Sequence, residues 1–150
     1  MEKVLIAASF LFFGLFFGCH PEVELDSSEC FHSGWKLLGY EVESTSDPRI
    51  RRLEGSTGLK ESESIRASLG DTVIYGFRFR YSNLEETNEA ANVFCERARS
   101  EGDLHETTGA TVKHTYLVFH MPSLAEEAKN NLLQRYMDAM CRDKIENNWF

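Results

Sequence analysis

The feature that most limits the fold is a unit that occurs twice: a strand-like run, then Ser-x-x-Glu, then a stretch with helical periodicity. In the first copy Val73, Tyr75, Phe77, Phe79 and Tyr81 alternate with Thr72, Ile74, Gly76, Arg78 and Arg80. Successive side chains of a strand point to opposite faces, so this run predicts one aromatic, buried face and one polar face. Ser82-Asn83-Leu84-Glu85 comes next. A serine and a glutamate at that spacing satisfy each other's unbonded amides and open a helix. Leu84, Ala91, Cys95 and Ala98 then recur at helical spacing, and Gly102 is the stop, so the helix is expected to reach about Ser100.

The second copy lies 41 residues further on. From Val112 to Met121 the run puts Leu117, Phe119 and Met121 on one side and His114, Tyr116, Val118 and His120 on the other. Pro122 ends it, and Ser123-Leu124-Ala125-Glu126 opens a helix to about Arg142, with Ala128, Leu132, Tyr136, Met137 and Met140 as its apolar stripe. Upstream, Ser64 to Leu69 and the run from Thr72 flank Gly70-Asp71, which suits a two-residue hairpin turn of type II′ or I′. Alternation over Leu38, Tyr40 and Val42 predicts a strand from Leu37 to Glu43, and Cys30 to Tyr40, either a short helix broken by Gly34 or the approach to a strand, reads as an apolar flap packed on the domain. Weaker strand signals lie at Arg49 to Glu54, Leu104 to Thr108 and Ile145 to Phe150.

Read from Thr72, the order is strand, helix, short strand, strand, helix, strand. This is the βαββαβ order of ferredoxin-like α+β two-layer sandwiches, here with an N-terminal β-hairpin extension. The pattern is similar to small ferredoxin-like regulators of ribonuclease E, which carry Asp-Gly-Trp where this chain has Asn147-Asn148-Trp149. The N-terminus predicts a different compartment from theirs.

Met1-Glu2-Lys3 precedes an apolar run from Val4 to Gly18, which is 15 residues long and ends at Cys19. That is short for a membrane span and the right length for the apolar region of a secretory signal. Leu15-Phe16-Phe17-Gly18-Cys19 resembles the lipobox of bacterial lipoproteins, with Phe16 and Phe17 departing from the usual leucine and small residue. The resemblance implies cleavage before Cys19 and acylation of its thiol. Several acyl chains, at about 0.8 kcal/mol per buried CH₂, anchor stably. His20 in place of an aspartate after the cysteine implies sorting to the outer membrane, facing the periplasm. The expected organisation is a signal peptide over 1–18, an acidic tether over 19–29 and one α+β domain over 30–150.

A net charge of −8 argues against nucleic-acid partners and against adsorption to anionic lipid, while 42% hydrophobic residues and 11 Phe argue against a disordered chain. With Cys19 lipidated, Cys30, Cys95 and Cys141 remain. In an exported chain these predict one disulfide, Cys30 with Cys95 or Cys141, and one buried thiol.

If the two long runs are antiparallel neighbours, Arg78, Arg80, His114 and Tyr116 converge on the sheet face away from the helices. Two guanidiniums, an imidazole and a phenol could hold a carboxylate, a phosphate or an acidic peptide. The competing expectation is a plain polar face, or one covered by the Cys30 to Leu69 extension. His114 and His120 would stand about 20 Å apart along a strand, so no zinc takes both, and neither a metal nor a cofactor is expected. Glu85-Glu86 and Glu126-Glu127 fall in first helical turns, where the helix dipole favours carboxylates. The chain has no G-x-S-x-G, no H-E-x-x-H and no P-loop. It therefore reads as a non-enzymatic binding or assembly module of the envelope, held to the membrane through Cys19 and meeting an envelope protein. A small-anion sensor, or a hydrolase using His114 or His120, are the alternatives.

Overall fold

A computed structural model describes residues 23–46, 57–101 and 107–142, and residues 24–142 among them belong to one contact unit. In chain order the elements are α1 (Ser28–Leu37), β1 (Glu41–Thr45), β2 (Leu59–Leu69), β3 (Thr72–Tyr81), α2 (Leu84–Glu101), β4 (Thr107–Val112), β5 (Thr115–His120) and α3 (Glu126–Ala139). The five strands form one antiparallel sheet in the order β1-β2-β3-β5-β4. The chain is thus α+β, and β2 and β3 form the expected hairpin, with Gly70 at φ +58° supplying the left-handed residue its turn requires.

The ferredoxin-like arrangement holds only in part. β3 and β5 are antiparallel neighbours as supposed, with β4 beyond β5 and the hairpin partner β2 on the other side of β3, so the exact ferredoxin-like order is not confirmed. The segments proposed as strands at Arg49 to Glu54 and Ile145 to Phe150 lie outside the described residues.

The two-layer expectation is corrected as well, because helices cover both faces of the sheet. On one face Phe77, Phe79 and Tyr81 of β3 pack with Tyr116 and Val118 of β5 and with Ala90, Ala91 and Phe94 of α2. The other face is apolar at its centre despite Arg78 and Arg80. There Gly76 lies against Ile65 and Phe119, and Phe119 meets Phe31 and Trp35 of α1 and Tyr136 of α3. Alternation within β3 shows its own polar positions but not the apolar residues of β2 and β5 beside them. The face is covered by α1, which comes from the N-terminal extension.

That extension begins with a helix, the first of the two readings for Cys30 to Tyr40, and not with the approach to a strand. Gly34 does not break it. A Cβ there would stand 2.6 Å from Cε2 of Tyr136, so the glycine lets α1 approach α3 closely, and the Trp35 ring stacks on Tyr136 at 4.6 Å. The helix runs to Leu37, where the alternation would begin a strand, and Gly39, at φ +88°, then lets the Gly39 and Tyr40 amides fold back onto the carbonyls of Lys36 and Trp35. Strand β1 starts only at Glu41.

Both helix starts shift from the expected serines. Asn83, not Ser82, caps α2, its Oδ1 accepting from the Glu86 amide at 2.9 Å, while the Ser82 hydroxyl donates to the Gly58 carbonyl. Ala125 precedes α3 and makes no side-chain cap, so the Ser123 box goes unused. The run from Val112 to Met121 is also divided. Val112 ends β4, Lys113 turns the chain at φ +50°, and Thr115 begins β5, which leaves His114 in a hairpin turn.

Cys30 and Cys141 form a disulfide, with Cα atoms 4.8 Å apart and both residues buried. It ties the first turn of α1 to the chain just past α3. Cys141 sits there in a left-handed conformation, its amide donating to Ser33 Oγ. Cys95 carries a free thiol on α2 and is exposed, against the buried position expected for it.

Candidate functional site

The arginines of β3 define the site. Arg78 is only 3% exposed although it carries a charge, and such a group needs several good partners. Its Nε donates to the Asp26 carbonyl at 2.9 Å, one terminal nitrogen reaches Glu61 at 2.8 Å and the other reaches Glu63 at 3.3 Å. Arg80, one third exposed, lies 3.5 Å from Glu61 and 3.8 Å from the Asp26 carboxylate.

The β2–β3 hairpin builds half of this cluster. Its turn puts Glu63 opposite Arg78 and Glu61 opposite Arg80, and cross-strand neighbours of opposite charge attract. The lead-in to α1 builds the other half. Ser27 caps the helix by accepting from the Cys30 amide, which fixes the approach of the preceding residue, Asp26. The Asp26 carboxylate is buried and accepts from the Thr115 hydroxyl at 3.3 Å. Ser28 donates to Glu63 at 2.8 Å, and His32 Nε2 stands 3.5 Å from the same carboxylate. The hydrogen bond from Arg78 holds the Glu61 carboxyl below its ordinary pKa, against the opposing effect of burial.

Two guanidiniums therefore face three carboxylates of the same chain. An external anion at Arg78 would have to displace internal partners. The expected anion face is also divided by the register. Arg78 pairs with Leu117 and Phe79 with Tyr116, so Tyr116 points to the opposite face from the arginines. There its ring meets Phe94, and its hydroxyl lies 4.0 Å from Cys95 Sγ. Burial is the main cause that raises the Tyr116 phenol well above its usual pKa, with the Cys95 thiol adding to it. His114 is exposed in its turn, and its carbonyl accepts from the Tyr81 amide at 2.8 Å. Of the four residues expected together, only Arg78 and Arg80 share a site. Cys19 lies outside the described residues.

Sequence periodicity misses Asp26, His32, Glu61 and Glu63 as members. Two of them are readable, because residues equidistant from the Gly70-Asp71 turn must face each other. Asp26 falls in the stretch expected to be an acidic tether, yet the residues from Asp26 onward are part of the fold.

Among the described residues no group of three or more His, Cys, Asp or Glu side chains is placed to hold a metal ion, and no helix is long and apolar enough to cross a membrane. A broad open hollow runs along α2, lined by Leu84, Asn88, Asn92, Val93 and three glutamates. No protein-family model matches the chain, and no match was found among the curated proteins or the solved structures compared with it.

Proposed function

We propose that this chain is a small exported lipoprotein of the bacterial cell envelope, anchored through lipid on Cys19 and acting as a non-enzymatic binding or assembly module. The observation that carries the reading is the disulfide between Cys30 and Cys141, 111 residues apart. Such a cross-link persists in an oxidising compartment, which is where a leader ending at a lipobox-like Cys19 would deliver the chain. Outer-membrane attachment facing the periplasm follows from His20 after that cysteine.

The commitment of Arg78 and Arg80 to internal carboxylates favours a docking module over a small-anion sensor. Its partner is then an envelope protein that meets the domain's outer surface.

Intact mass spectrometry of the native protein from bacterial membranes tests the proposal. Residues 19–150 plus acyl and diacylglyceryl groups, with Cys30 and Cys141 joined in a non-reducing peptide map, are expected. An unmodified chain cleaved elsewhere would overturn the anchored reading.

A further inference from the structure

We propose that residues 24–29 form a releasable strap, held on the sheet by charge and separable from the rest of the domain because the disulfide at Cys30 fastens α1 from that residue onward. Within 24–29 only Asp26 is buried, and its partners are the Arg78 and Arg80 side chains and the Thr115 hydroxyl. One residue after the strap the character of the chain changes. Cys30, Phe31, Gly34 and Trp35 are buried, and Phe31 and Trp35 pack on Phe119. The covalent bond to Cys141 adds to this, so α1 stays docked whether or not the strap does.

The arginines do not depend on the strap. Glu61 lies within 3.5 Å of both guanidiniums, and Glu63 contacts Arg78 as well. When Asp26 leaves, two arginines still face two glutamates in cross-strand register. Release gives up the Arg78 bond to the Asp26 carbonyl and the Ser28 bond to Glu63, but both guanidiniums keep a carboxylate partner, so the costlier outcome of leaving a buried cation without a counterion is avoided. Two arrangements of one cluster, one with and one without Asp26, are thus both open to it with neither guanidinium left unpaired.

The consequence for reach rests on the anchored reading. With the strap docked, residues 19–23 link the lipid to the domain, and with it released residues 19–29 do. At about 3.3 to 3.6 Å per extended residue, releasing the whole strap lengthens the link by roughly 20 Å. The strap would set how far from the membrane the module can work.

Hydrogen exchange on the full-length, oxidised chain tests the strap. The amides of Ser27, Cys30 and Phe31 take acceptors that lie within the strap: the Glu24 carbonyl, the Ser27 hydroxyl and the Ser27 carbonyl. In Asp26→Ala these three should exchange at least tenfold faster, with the amides of Leu38 to Tyr40 and of β3 unchanged. Arg80→Gln, at a partly exposed position, should act in the same direction. Unchanged rates at the three amides in both variants would overturn the proposal, and so would acceleration that spreads through α1 and the sheet. An unlipidated mass would remove the change in reach and leave the exchange result standing.

Discussion

Replacing Arg78 by methionine should destabilise the domain by about 3 kcal/mol. The guanidinium makes three charge-assisted contacts, and each has a different weight. The bond to the Asp26 carbonyl lies in a buried setting, where a hydrogen bond to a charged group contributes about 1.5 to 3 kcal/mol. Glu61 is half exposed, so solvent screening limits its pair to the surface range of up to about 1 kcal/mol. Glu63, one quarter exposed and at the longer distance of 3.3 Å, adds a similar amount. Methionine retains an apolar stem at a position that is 3% exposed, which recovers part of the packing. Both glutamates can turn to water, which keeps the loss near the lower end of the 3 to 5 kcal/mol typical of a broken buried pair. Denaturant unfolding of the oxidised chain measures the change as a shift of midpoint at constant slope. Arg78→Lys keeps the charge but loses the planar fork, so its midpoint should fall between the other two. A methionine variant within about 1 kcal/mol of the parent would show that the cluster holds nothing together and would refute the assignment of Arg78 as its centre.

Reduction of the disulfide, or Cys30→Ser with Cys141→Ser, should cost about 5 kcal/mol from loop entropy, given the separation of 111 residues; paired denaturant curves with and without reductant read it directly. Glu61 has a folded pKa below its unfolded one, so its contribution to stability is present above the ordinary carboxylate range and is lost as pH falls through the lower folded value. Glu61→Gln should therefore flatten the decline of unfolding midpoint with acid below about pH 5, and an unchanged slope would contradict the pairing with Arg78. Gly34→Ala should cost about 1 to 3 kcal/mol, because its Cβ would meet the Tyr136 ring at 2.6 Å; a thermal melt matching the parent would mean that α1 and α3 can separate freely.

What can be read from this sequence is whatever a single segment decides. The alternation in β3 and the Gly70-Asp71 turn are local, and both the strand and the hairpin form as expected. The errors arise where a second segment takes part. Lys113 turns a tight hairpin without glycine or asparagine, and so the long run from Val112 conceals a turn and misplaces His114. The arginine face looks open when only β3 is considered, whereas the residues that close it come from α1, β2 and β5. A shift of one position in pairing exchanges the two faces of a strand, and that shift alone moves Tyr116 away from the arginines. The same reasoning applied across the hairpin places Glu61 and Glu63 beside the arginines from the residue pattern alone. Asp26 still escapes it. Its place follows from the Ser27 cap and from the disulfide that orients α1, and no periodicity in an acidic lead-in encodes either. The interaction that matters most to the proposed strap is therefore the one that depends on tertiary context, which is also why so few contacts are needed to undo it.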